Sequence, residues 1–305
     1  MTKHLYKNIA ASVHQRLLNR ARETGRPFSE VLQYFAMERF LYRLSKSPYV
    51  DNFVLKGALM LSVWEAPLSR PTMDIDLLGR IDNSVEAMID FTRTICRQKV
   101  EPDGISFDEK SIKGERITAD ADYEGGRFRF RGSLGTAQVA MQLDIGFGDV
   151  VVPTPELIDY PTILDLPAPQ LLGYSIESTI AEKFEAMVKL GVLNSRMKDF
   201  FDIWLLLRQF DFRGPRLAAA IAKTFSTRGT DIQPEPIALT NSLAEDATKT
   251  VQWRGFIRKN QLKNVPQNFG EVIKVIAAFL GPIAKSLSAK QPFKATWKAP
   301  GPWHE

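Results

Sequence analysis

Between residues 103 and 150 the apolar side chains recur at every second position, in "RFRFRGSL" and again in "TAQVAMQLDIGFG". That period belongs to strands buried on one face, because successive strand side chains point to opposite sides. Elsewhere the spacing lengthens to that of helices. Residues 6–46 read as helices broken at "TGRPFSE", with Ser29 as N-cap of the second. "NFVLK" reads as a buried strand feeding a helix that opens at Gly57-Ala58, and "TMDIDLLG" as a strand stopped by Gly79. Residues 84–98 form an amphipathic helix, and Gly125-Gly126 is expected to mark a hairpin turn.

Residues 150–169 hold five prolines and read as connection. After Ser175 the pattern is helical. "SIESTIAEKFEAMVKLG" has a capping signature at Ser175 and Ser178 and a glycine stop at Gly191. "MKDFFDIWLLLRQF" follows, then helices near 214–226, 237–261 and 268–288, and "KQPFKATWKAPGPWHE" reads as a loose basic tail. The expected class is therefore α+β. A mixed domain with N-terminal helices spans residues 1–165, and a helical C-terminal domain spans 166–305.

Composition narrows the function classes. One cysteine, Cys96, excludes an internal disulfide framework and fits the reducing cytoplasm. His4, His14 and His304 lie near the ends with no Cys/His cluster between them, which argues against zinc. No apolar run is long enough to span a bilayer, so no membrane is expected as a partner. The net charge of +5 is unevenly spread: residues 1–50 carry nine Lys/Arg against three acids, and 251–305 nine against two. Both ends are suited to a polyanion or to a solvated surface.

The carboxylates of "TMDIDLLG" carry the chemistry. Two apart in a strand, Asp74 and Asp76 share one face while Ile75 points away. Asp144, in "VAMQLDIGFG", shares a face with Ala140 and Gln142. Like charges set this close repel, and oxygen donors of this kind suit Mg²⁺, which keeps phosphate oxygens in its shell. Three such carboxylates on neighbouring strands could hold two metal ions for displacement at phosphorus, although D-x-D alone also occurs by chance in many chains. Upstream, Gly57 allows a tight turn, and the helix after it offers N–H groups to a phosphate. Arg70 either adds charge to a polyphosphate or lies on the surface. Lys183 borders an apolar helical stripe, where a lysine ordinarily snorkels to solvent. Asp199 and Asp202 are helix neighbours, for which helix-dipole complementation and a Lys198–Asp202 pair are the plain account.

Together, "FVLKGALMLSVW…SRPTMDIDLL", "VAMQLDIGFGD" and "STIAEKFEAMVKLGVLNSRMKDFFDIWLLL" resemble the AbiEii/AbiGii nucleotidyltransferase toxin family, from roughly residue 15 to residue 210. The resemblance implies a DNA-polymerase-β-like nucleotidyltransferase core with a mixed sheet and flanking helices. It also implies Mg²⁺-dependent transfer from an NTP, with tRNA among the acceptors, by the toxin of a bacterial toxin–antitoxin pair active in phage defence. By motif, Gly57 matches the triphosphate-cradling glycine, Asp74 and Asp76 the metal ligands, and Asp144 the third strand carboxylate. Lys183 matches a phosphate-contacting lysine, and Asp199 the distal acid, with Asp202 its close alternative. Lys56, Ala58, Arg70 and Arg196 complete the expected nucleotide-binding set. Ala58 stands where the family usually has glycine or serine, so no hydroxyl is offered there.

On this basis the expected function is nucleotidyl transfer to RNA, with the basic terminal helices walling the acceptor and a cognate antitoxin as partner. Asp144 is expected to share a second ion or act as general base, and Lys183 and Arg70 to stabilise the leaving pyrophosphate. Two other classes fit parts of the pattern. A metal-dependent nuclease or phosphohydrolase would use water as acceptor, and a non-catalytic, antitoxin-like nucleic-acid binder would leave the acidic strand motif without a role.

Overall fold

The structure, a computed structural model, describes residues 9–66, 70–118 and 124–305. His4, the start of the first expected helix, residues 67–69 and residues 119–123 lie outside the described residues. The chain divides into two compact units. The first comprises residues 1–65, 71–148 and 156–173, and the second residues 66–70, 149–155 and 174–305.

The first unit is a seven-stranded mixed sheet with helices. In chain order it holds α1 (Ile9–Thr24), α2 (Phe28–Ser45), β1 (Phe53–Lys56), α3 (Met60–Val63), β2 (Asp74–Gly79), α4 (Val85–Arg97), β3 (Ile105–Thr118), β4 (Glu124–Leu134), β5 (Ala137–Gly146), β6 (Glu156–Asp159) and β7 (Gln170–Gly173). The sheet order is β3-β4-β5-β2-β1-β7-β6. β2 runs parallel to β5 and antiparallel to β1.

Alternation along the strands divides the sheet cleanly. Val139, Met141, Leu143 and Ile145 of β5, Phe128 and Phe130 of β4, and Ile75 of β2 are buried. Phe40 of α2 packs against Phe107 and Phe130, and Phe91 of α4 stacks on Phe53 at 4.0 Å between ring centroids. Burying each such ring contributes about 1.5–3 kcal/mol. The residues between them, Asp74, Asp76, Gln142, Asp144, Arg127 and Arg129, project from the opposite face.

Two local expectations are corrected here. Helix α2 begins after Pro27, not at a Ser29 cap; Pro27 is extended at ψ 139°, and no side chain caps the helix. The Pro27 carbonyl instead accepts from the Glu30 and Val31 N–H groups. Gly125 and Gly126 are not a turn but lie inside β4, paired with Gly146 and Ile145. The hairpin turns at Gly135-Thr136, where Gly135 has φ +60° and Leu134 pairs with Ala137. A Cβ at Gly126 would lie 2.7 Å from the Phe128 ring, so glycine there makes room for the aromatic.

The second unit holds α5 (Ile176–Leu190), α6 (Met197–Gln209), β8 (Phe212–Arg213), α7 (Gly214–Thr227), α8 (Asn241–Ala244), α9 (Ala247–Lys259), α10 (Phe269–Ser288), β9 (Thr296–Trp297) and β10 (Trp303–His304). Ser175 caps α5 by accepting from the Ser178 N–H, and Gly191 ends the helix at φ +49°. The stretch expected as one helix over 237–261 is broken into a 3₁₀ turn, α8 and α9, with Asp246 capping α9 through the Lys249 N–H. The tail is not loose. β9 joins β8 and β10 in a small sheet, and Trp297 is buried with its Nε1–H donating to the Leu207 carbonyl at 2.6 Å. No helix among the described residues is long and apolar enough to cross a membrane.

Candidate functional site

In the first unit the register of four strands lines up a row of charge. Lys56 of β1 pairs with Asp76 of β2, Asp76 with Asp144 of β5, and Asp144 with Arg127 of β4. Asp76 and Asp144 thus sit directly opposite each other on adjacent parallel strands, their backbones one strand spacing of about 4.8 Å apart. Such a like-charge pair is destabilising unless neighbours offset it. Cations flank it in the same row. Arg127 forks Asp144, with Nε donating to Oδ1 at 2.8 Å and Nη2 to Oδ2 at 2.7 Å. The Asp144 hydrogen bond, set against partial burial, holds the Arg127 guanidinium above its usual pKa, and the charge of Asp74 adds to this. One position along, Asp74 pairs with Gln142.

Gly57 closes this end of the row. It adopts φ +72°, a backbone conformation that glycine alone takes up without cost. A Cβ there would lie 2.7 Å from Cγ of Asp76 and closer still to Oδ2. Glycine is therefore required twice, by the turn and by the approach of the carboxylate. The helix expected after it is only a 3₁₀ turn (Gly57–Leu59) and a single α-helical turn, α3. Its aligned peptide dipole is correspondingly small, and any anion would be held by local N–H groups. Ala58 is buried in that turn.

Among the described residues no group of three or more His, Cys, Asp or Glu side chains forms a metal-holding cluster. Asp74 and Asp76 are a pair of oxygen donors on one face, and the Asp76 carboxylate lies where a Cβ at Gly57 would stand. That chemistry fits a hard divalent cation. Both oxygens of the expected third donor, Asp144, are engaged by Arg127.

The second unit gathers the other expected residues. Lys183 does not snorkel to solvent; its ammonium lies 3.0 Å from Asp199 Oδ1 and 2.8 Å from Asp202 Oδ2. Asp199 and Asp202, on α6, are 0% and 1% exposed, so a surface-pair account fails for both. Arg70 reaches Asp202 as a fork, with Nε and Nη2 each donating at 3.0 Å. Arg196 Nε donates to Asp199 Oδ2 at 2.6 Å. Burial alone would raise the Asp199 carboxyl, but Lys183, Arg196 and Lys198 outweigh it and hold the group at about 2. Asp202 is held low in the same way, its burial outweighed by Lys183 and Arg70. Lys183 is kept charged despite burial by the two carboxylates.

Reading the sequence alone missed Arg127. Its signal was present: counting outward from a turn at Gly135-Thr136 brings Arg127 opposite Asp144, and placing the turn at Gly125-Gly126 concealed this.

The family model described as "Nucleotidyl transferase AbiEii toxin, Type IV TA system" matches residues 39–275. Two solved structures from Helicobacter pylori are similar to the chain. One, described as a nucleotidyltransferase, is 17% identical over 85% of this chain and 95% of its own, with a TM-score of 0.49. The other, JHP933, is 15% identical over 86% and 92%, with a TM-score of 0.46. Comparison with curated proteins gives no match.

Proposed function

Because the chain belongs to the AbiEii nucleotidyl transferase toxin family of type IV toxin–antitoxin systems, we propose that it moves a nucleotide from an NTP to an RNA acceptor, tRNA foremost, with Mg²⁺ held by Asp74 and Asp76. The observation that supports this reading is the row Lys56–Asp76–Asp144–Arg127 closed by Gly57, with Asp74 one step along on the same face as Asp76. When bound, the cation supplies Lewis-acid polarisation and orientation of the triphosphate.

The chain's own groups do the rest. Asp74 and Asp76 present oxygens on one face, and Gly57, having no Cβ, leaves room for the Asp76 carboxylate. An acceptor hydroxyl attacks the α-phosphorus, a new P–O bond forms, and the bond to the β-phosphate bridge breaks, releasing pyrophosphate. Asp144 keeps Arg127 in place; the proton leaving the acceptor hydroxyl passes to solvent water, or to Asp144 when that fork opens. In the helical unit, Lys183 is the proposed phosphate-directed cation, kept charged by Asp199 and Asp202, with Arg70 and Arg196 completing its cluster. The proposed setting is the cytoplasm of a bacterium, where a cognate antitoxin restrains the activity until phage infection.

The test is incubation with tRNA, Mg²⁺ and each α-labelled NTP in turn. Label should enter the RNA with the unaltered protein, and not with Asp76→Asn or when Mg²⁺ is chelated. RNA that shortens without taking up label would instead identify a hydrolase.

A further inference from the structure

Strand β4 carries arginine at every second position, Arg127, Arg129 and Arg131, alternating with the buried Phe128 and Phe130. The aromatic anchors beneath fix the strand, so the three guanidinium groups form a column with a repeat of roughly 6.5–7 Å. The column starts level with the carboxylates. Arg127 pairs with Asp144 in the row of Asp76, Arg129 with Gln142 in the row of Asp74, and Arg131 with Ala140 one step beyond.

Each arginine is held by an acidic partner. Arg127 is forked by Asp144, Arg129 Nη1 donates to Glu115 at 2.7 Å, and Arg131 Nη2 to Asp108 at 2.8 Å. The last two pairs are exposed, with side-chain exposures of 53% and 58% for Arg129 and Glu115 and of 66% and 42% for Arg131 and Asp108. Exposed pairs of this kind are worth only about 0–1 kcal/mol each. A phosphate, which accepts two parallel N–H bonds from a guanidinium, exchanges for them readily. A guanidinium has five N–H donors, so each arginine retains donors while its carboxylate orients it.

We infer that the Arg127–Arg129–Arg131 column is the track for the sugar–phosphate backbone of a single-stranded RNA acceptor, leading its reactive end to Asp74 and Asp76. The assignment deepens, and rests on, nucleotidyl transfer to RNA. One triphosphate is satisfied at a single end of the column. A ladder that continues for two further steps, at one guanidinium per repeat, suits a chain of phosphates. Its planar donors, with no aromatic residue between Arg127 and Arg131 on that face of the strand, imply contact with backbone and not with bases.

The test measures binding of a labelled single-stranded oligoribonucleotide in the absence of Mg²⁺ and NTP, across a salt series. The variant Arg129→Gln/Arg131→Gln is compared with Arg216→Gln/Lys223→Gln, which removes the same charge from exposed positions on α7. Thermal melting confirms that both fold. The column variant should weaken binding at least about tenfold, and the loss of two phosphate contacts should flatten the log–log salt slope by about 1.4. The α7 variant should move neither quantity appreciably. Equal weakening by both variants, or unchanged affinity and slope for the column variant, overturns the track and leaves the column to a protein partner or to solvent. Because binding is read without nucleotide, a track that survives while no NTP labels RNA would refute nucleotidyl transfer alone.

Discussion

Replacing Lys183 by methionine, close to it in length and volume, removes one charge from a cluster of five built on the buried carboxylates Asp199 and Asp202. Removing one partner of a buried ion pair typically costs about 3–5 kcal/mol, because the other charge is stranded. Here the stranding is partial. Asp202 keeps both oxygens on the Arg70 fork, and Asp199 keeps Oδ2 on Arg196. Only Asp199 Oδ1 loses its charged partner, at a residue with no exposure. The expected cost is therefore at the lower end, about 3 kcal/mol. Four of the five tryptophans, Trp204, Trp253, Trp297 and Trp303, lie in the helical unit, so intrinsic fluorescence reports its unfolding. With a urea slope of about 2 kcal/mol/M, the midpoint should fall by about 1.5 M. The double variant Lys183→Met/Asp199→Asn removes the stranded charge and should regain about 1–2 kcal/mol through coupling of the two sites. An unchanged midpoint for the single variant, or a double variant no more stable than the single, would refute the reasoning. Lys183 would then owe its place to ligand contact alone.

Gly57→Ala should cost about 1–2 kcal/mol for the left-handed backbone alone, and its Cβ should push the Asp76 carboxylate aside; melting combined with Mg²⁺-dependent labelling measures both effects, and wild-type values in each would contradict the packing. Asp199 is held at about 2, below its unfolded value of 3.8, by Lys183, Arg196 and Lys198 acting against the cost of burial. Its contribution to stability is complete above the unfolded value and is lost as pH falls through about 2. A melting series from neutral to acid pH should show that loss starting at higher pH in Lys183→Met. Trp297→Ala removes a buried indole and its bond to Leu207, for a loss of about 3–5 kcal/mol by urea titration; a tail that is merely loose would show no change.

Local rules carried the sequence reading where the cause was local. The cap at Ser175, the stop at Gly191, and the shared face of Asp74 and Asp76 each depend on residues a few positions apart, and each is found in the structure. Pairings across long stretches were hidden. β8 and β9 are two residues each, too short to show a period, and their partners lie more than eighty positions apart. The Arg70–Asp202 fork joins residues 132 apart, and nothing in either neighbourhood announces the other. Lys183 illustrates the intermediate case. Its place at the edge of an apolar stripe was legible, but its two acids sit on the next helix, and only their burial separates an interior cluster from a surface pair. Ser29 was outcompeted by Pro27, whose fixed φ starts the helix without a side-chain cap.

The helical unit is not one continuous stretch of chain: it borrows residues 66–70 and 149–155 from within the other unit's sequence. Those loans supply two of its charged ties. Arg70 supplies the fork on Asp202, and Asp149 accepts from Arg228, which also binds Glu185. A fragment cut to begin at Tyr174 would carry every helix of the unit and still come away with two severed ion pairs in its interior. That fragment should therefore melt at a lower temperature than the same helices do in the full chain.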